Sequence, residues 1–309
     1  MGPVVENRTF LDPAAERVGT MDERRGTVGG ALTTALGLAG LGYAARRLAG
    51  SRVTDVPLSP LVARGRVGGD WVARAGVGTG DHPVGEMDDM AAFAGDGFDP
   101  ELVDPDVRAF YERTSEHALS LTAEWHRPFR TGAWLASQLT GRMEQLNLPA
   151  PGDGRTVRLR SEFERIDPAL DPRDGARMWV RTDADTGDGV FVAAYGSHVA
   201  DGERYVNIGV PLPGCNLSTV LSLRNLDDGA VALTTEAAGD PGLYLLTPSG
   251  SFELPMAQRF RVWPADGAAV PTDVPRTDET AIVATHEMWL YGQQFLTVRY
   301  AGQTSTSTS

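Results

Sequence analysis

The chain has 309 residues, of which 41 are acidic and 28 basic, for a formal net charge of −13, with 5 His and 1 Cys. All 28 basic residues are arginine. A polyacid without a basic tract is a poor match for nucleic acid, whose phosphates need clustered cations. The single cysteine, Cys215, excludes an internal disulfide framework and any CxxC motif. Absent lysine excludes Schiff-base, pyridoxal-phosphate and Walker-type chemistry. No cofactor, metal or nucleic-acid partner is expected. Acidic excess with arginine in place of lysine points to a saline setting, a haloarchaeal or other high-GC prokaryote, where surface carboxylates keep a protein hydrated. Codon bias alone is the other source of such an arginine preference.

Residues 1–26 are polar and read as a flexible N-terminus. Thr27 to Ala45 carries no charge and is long enough to cross a bilayer as a helix, bracketed by Arg24-Arg25 and Arg46-Arg47. Its small residues recur every four positions, a spacing that packs helices closely in membranes. The apolar helix is placed over 27–49 as a candidate membrane anchor, with a soluble helix or a signal segment as alternatives. Two localisations follow: membrane-associated through this one helix, or cytoplasmic. Residues 50–104, rich in Gly, Pro and Asp without a sustained period, read as a linker. His82 with Glu86, Asp88 and Asp89 reads as a solvated acidic stretch within it.

From Pro105 the texture changes. Asp104 caps a helix that opens on Pro105 and places Val107, Phe110 and Tyr111 on one face. His117–Trp125 alternates as a strand, with His117 and His126 expected at its exposed ends. A second amphipathic helix starts at Thr131 or Gly132 and stops before Asn147-Leu148-Pro149. Thereafter short alternating segments follow one another between Asp-Gly, Pro-Gly and Ser-Gly turns, from Val157–Ile166 to Gln293–Ala301, with one strand expected over Phe252–Val262. The reading is an α+β domain over 105–301. It is predominantly an antiparallel sheet or barrel of about eight to ten strands with two helices packed across it, plus the N-terminal helix. The tail 302–309 reads as disordered.

Several short motifs keep a common order. They are Phe110-Tyr111, the run Gly141 to Pro149, Trp179-Val180-Arg181-Thr182, Tyr195-Gly196-Ser197-His198, Asn207 to Asn216, and Asp240-Pro241-Gly242-Leu243-Tyr244. Over about residues 105–301 the chain resembles the soluble C-terminal domain of YndJ-type membrane proteins and its stand-alone actinobacterial and haloarchaeal relatives. The segment after Pro149 lacks the longer polar stretch of that family. The resemblance implies an architecture and no reaction.

Strand alternation groups the polar candidates. Trp179 and Arg181 share one strand face, Tyr195 and Ser197 another, Tyr205 and Asn207 a third. If Met178, Val180, Ile208 and their neighbours form the core, the mixed aromatic and polar faces are free to line a ligand cavity. Arg181 would there hold a carboxylate or phosphate. The ligand-binding candidates are thus Trp179, Arg181, Tyr195, His198, Tyr205 and Asn207. Adjacent strand residues face opposite ways, so Ser197-His198 and His286-Glu287 are not nucleophile–base or acid–base pairs. No GxSxG elbow is present, and no histidine spacing marks a metal site. The leading expectation is non-enzymatic binding of a small lipid-like or acidic ligand, with a membrane tether through 27–45. The alternatives are a metal-independent enzyme in the Tyr195, His198 and Asn207 region, or a structural or protein-interaction domain.

Overall fold

Wherever the chain alternates apolar and polar residues between glycine turns, a strand forms. In the computed structural model, which describes residues 52–304 except Pro275, these strands make one 13-stranded sheet. They are β1 (Arg52–Val53), β2 (His117–Trp125), β3 (Val157–Arg165), β4 (Asp174–Asp183), β5 (Gly189–Ala200), β6 (Glu203–Leu212) and β7 (Cys215–Asn225). Then follow β8 (Val231–Thr234), β9 (Gly242–Thr247), β10 (Gly250–Glu253), β11 (Met256–Pro264), β12 (Thr280–Leu290) and β13 (Gln293–Thr304). The helices are α1 (Trp71–Ala75), α2 (Pro105–Glu112) and α3 (Arg130–Met143).

The sheet closes on itself. In the order β7-β6-β5-β4-β3-β2-β13-β12-β11-β8, with β8 pairing back to β7, it forms an antiparallel barrel of ten strands. β7 achieves this by dividing its length: Asn216–Val220 pairs with β9, and Ser222–Asn225 pairs with β8. β9, β10 and β1 continue outward as a flap. Asp201-Gly202 turns β5 into β6 and Tyr291-Gly292 turns β12 into β13, each with both residues at positive φ. That geometry matches the right-handed twist of the strands it joins. The strand expected over Phe252–Val262 is two strands, because Leu254-Pro255 interrupts it.

The two expected helices pack against the barrel and line its interior, α2 through Phe110 and Tyr111 and α3 through Ala133, Ser137 and Thr140. α2 precedes β2 and α3 follows it. α2 is capped by Asp104, whose side chain accepts from the Asp106 amide, and buries Val107, Phe110 and Tyr111. α3 is tied at its C-terminal side by the fully buried Gln145, which donates to Val192 O (2.8 Å) and Pro211 O (3.1 Å) and accepts from Val192 N (3.0 Å). His117 is not at an exposed end: it packs edge-on against Phe110, with Nδ1 3.0 Å from Arg113 O. The last strand runs to Thr304, so residues 302–304 belong to the sheet and not to a disordered tail.

The segment 52–104 corrects the linker expectation. It is folded onto the barrel within the unit Ser51–Ser309. Val67, Trp71, Val72 and Val77 cover the outer faces of β4 and β5 at Met178, Val180, Val192 and Ala194. Met90, Phe93 and Phe98 join the inner core. These anchors are scattered singly among Gly and Pro, so no period announces them. A buried ion pair pins the segment. Asp171 takes two bonds from Arg173 (2.9 and 2.7 Å) and one from Ser59 Oγ (2.7 Å), while Arg173 also donates to Asn207 Oδ1 (2.7 Å). The segments 1–26 and 27–49, with the candidate anchor, lie outside the described residues.

Candidate functional site

Register decides which faces meet. Tyr195 pairs with Ile208 and Gly196 with Asn207, so Tyr195 shares its face with Ile208 and not with Asn207. The expected mixed face therefore divides in two. Trp179, Arg181 and Tyr195 point into the barrel, as do Phe191, Ile208 and Val210. His198, Tyr205 and Asn207 lie outside it. There His198 Nε2 is 2.9 Å from Asp240 Oδ2, its ring tilts against Tyr205, and Asn207 bonds Arg173 and the Pro57 carbonyl. Tyr195 and His198 are thus on opposite faces of β5, and the proposed enzymatic grouping of Tyr195, His198 and Asn207 has no common surface. The outer three instead hold the N-terminal strap and the β9 flap to the barrel wall.

The inner three stand in a cavity. An eight-stranded barrel is just wide enough for its side chains to fill, and ten strands leave space. On the α3 side the interior encloses about 300 Å³, lined mainly by apolar groups such as Leu121, Val210, Met288, Phe295 and Val298. On the α2 side a smaller space of about 40 Å³ is bounded by Glu86, Tyr111 and Trp179. Arg181 and Tyr195 line both, with Phe260 and Tyr300.

Arg181 is 7% exposed, and its guanidinium carbon lies 4.0 Å from the Trp179 ring and 4.3 Å from the Phe191 ring. Trp179 stacks in turn on Phe163 at 5.1 Å. Among the described residues no carboxylate lies within 4.0 Å of Arg181. Its Nη2 reaches Tyr195 Oη at 3.4 Å, the Tyr300 hydroxyl lies beside the guanidinium as well, and its Nε has no partner. Trp179 Nε1 is likewise buried without an acceptor. Arg181 borders both spaces, whereas Trp179 borders only the smaller one.

The titratable neighbours are arranged to leave that cation unneutralised. Burial pushes the Glu86 carboxyl up to about 8 against the pull of Arg181 and Arg177, so it is mostly protonated at neutral pH. Burial, together with the field of Arg181, pushes His286 down to about 3. It is neutral, stacked on Phe260 at 3.6 Å, with Nε2 3.0 Å from Gln258 Oε1. Burial raises Tyr195 and Tyr300 above their ordinary range, opposed by Arg181. Glu86, His286, Gln258 and Tyr300 are the site residues that sequence reasoning missed. Glu86 belongs to the stretch with His82, Asp88 and Asp89 expected to be solvated, and the structure instead places it at the edge of the interior. Gly85 allows that approach: a Cβ there would stand 2.2 Å from the Glu112 carbonyl oxygen.

Among the described residues no helix is long and apolar enough to cross a membrane. No family model and no solved structure matches the chain. It is 27% identical over 246 residues to the uncharacterized membrane protein YndJ of Bacillus subtilis (strain 168), an alignment covering 79% of this chain and 42% of that protein. The chain thus spans less than half the length of its relative, and over most of its own length it is similar to a YndJ-type protein.

Proposed function

We propose that the barrel binds, without chemistry, a small amphipathic anion whose acidic head meets Arg181 and whose apolar tail fills the space toward α3. The observation that carries this is Arg181 itself, a buried guanidinium with no carboxylate within 4.0 Å among the described residues, at the floor of an apolar cavity. Burying an ion without a counter-charge is costly, and aromatic stacking offsets only part of that. A bound carboxylate would complete the pairing, taking bonds from the Arg181 guanidinium. The neutral Glu86 beside it would not repel it. At about 30 Å³ per water-sized group, 300 Å³ holds about ten heavy atoms. An eight-carbon carboxylate is of that size.

The test is calorimetric titration of the full chain with octanoate and, separately, with octanol. Charge-assisted bonds contribute about 1.5–3 kcal/mol, so octanoate should bind at least about tenfold more tightly. Equal affinities, or no octanoate binding, would overturn the reading.

A further inference from the structure

Helix α3 exposes two of its large apolar residues to solvent. Its cavity-lining residues include Ala133, Ser137 and Thr140, small groups that bury little apolar area. Trp134 and Leu135 stand 54% and 60% exposed. A helix serving only to pack against a barrel turns its large apolar residues inward. Tyr291, 67% exposed, belongs to the β12–β13 turn, and the residues flanking that turn, Met288 and Phe295, line the α3 side of the cavity. Exposed Trp, Leu and Tyr therefore gather at one end of the barrel.

The charge at this end differs from the rest of the molecule. The chain has 41 acidic residues, yet none falls between Trp125 and Met143. That stretch carries Arg127, Arg130 and Arg142, all exposed. Among the described residues none of the three lies within 4.0 Å of a carboxylate. Among the described residues, exposed arginines elsewhere include paired ones, as Arg158 is with Asp185 and Arg66 with Asp70 and Glu144, and unpaired ones such as Arg64 and Arg160. What distinguishes this end is that its three arginines stand in a stretch without a single carboxylate.

We propose that the α3 end is a docking surface for an anionic lipid bilayer. Trp134 and Leu135 enter the boundary between headgroups and acyl chains, Tyr291 sits at headgroup level, and the three arginines meet the lipid phosphates. A chain of net charge −13 is repelled by such a surface over its acidic faces, which favours approach by this end. The 14 residues of α3 span about 21 Å as a helix, short of a ~30 Å hydrocarbon core, so the helix lies in the interface and does not cross it. Docking would place the α3 side of the cavity against lipid, a source of amphipathic anions. That consequence rests on the ligand reading above, whereas docking itself requires no occupant in the barrel.

The experiment uses the full chain with vesicles of phosphatidylcholine alone and of phosphatidylcholine with phosphatidylglycerol. Anionic vesicles should bind it more tightly than neutral ones, and added salt should weaken the binding. At about fivefold per arginine near an anionic surface, the triple variant Arg127→Gln, Arg130→Gln, Arg142→Gln should lose about a hundredfold. Trp134 emission, isolated as the difference between the parent chain and Trp134→Phe, should be quenched by brominated acyl chains. That readout separates this surface from any contribution of Thr27–Ala45. Equal binding of the triple variant, or Trp134 emission unquenched in vesicle-bound protein, overturns the proposal. Octanoate titration without vesicles reports the cavity separately and should be unchanged in the triple variant.

Discussion

Replacing Arg181 by methionine separates a cation kept for a ligand from one kept for the fold. In the unliganded barrel the arginine contributes little net stability. Its unpaired Nε and the long contact to Tyr195 cost about 1–3 kcal/mol. The contacts to Trp179 and Phe191 return about 1–2 kcal/mol each where desolvated. A thioether of similar reach keeps part of the packing and makes its own contacts with aromatic rings. The two effects nearly cancel, leaving a change within about 1–2 kcal/mol of zero. At roughly 2–4 °C per kcal/mol for a unit of this size, Tm should move by no more than about 8 °C. Octanoate binding should respond very differently. Loss of the charge-assisted bonds removes about 1.5–3 kcal/mol, a fall of about 10- to 150-fold. Calorimetric melting without ligand and titration with octanoate measure the two sides. A Tm drop beyond about 10 °C would make Arg181 a structural prop, and unchanged octanoate affinity would remove it from the site; either refutes the reasoning.

Glu86→Gln should alter the pH dependence of stability in a defined direction. The folded carboxyl holds its proton up to about 8, against an ordinary value of 4.5. Between those values the folded state binds more protons than the unfolded one. Stability therefore falls as pH rises through the window, by at most about 1.4 kcal/mol per pH unit. The glutamine variant should flatten that limb in denaturant titrations below, within and above it. Above pH 8 an ionised Glu86 would compete for Arg181, so octanoate affinity should drop in the parent chain and hold in the variant. Asp171→Ala leaves Arg173, with a side chain 1% exposed, without its partner; about 3–5 kcal/mol should be lost in urea unfolding. An undiminished midpoint would show that the strap is held by other contacts. Trp179→Ala removes stacking on Phe163, Tyr195 and Arg181, and a cost near 3–5 kcal/mol is expected. A loss below about 1 kcal/mol would mean the interior collapses around the gap.

Much of the architecture was written locally. Asp104-Pro105 started α2 as its side chains dictate, and Asp201-Gly202 supplied the positive φ values that turn β5 into β6. The short strands between such turns followed the period-2 pattern, which needs only neighbouring residues to be visible. The pairing of Trp179 with Arg181 on one face was legible for that reason, since both lie on one strand. Tyr195 was matched with Asn207 because alternation names two faces per strand without saying which faces meet. A one-residue register difference exchanges them, and only the β5–β6 ladder sets Tyr195 against Ile208. The segment 52–104 was misread because its core residues bury themselves against strands distant in sequence, leaving no period of their own.

Composition and local pattern by themselves determined most strand and helix positions from Pro105 onward, the excluded chemistries and the aromatic company of Arg181. Tertiary structure alone decided that the sheet closes with ten strands, that Arg181 is therefore interior with no carboxylate within 4.0 Å, and that Glu86 borders the same space with its carboxyl pushed up by burial. The reason is the range of the forces involved. Alternation and turn geometry act over a few residues, whereas closure and the burial of a charge depend on which distant strands exclude water together.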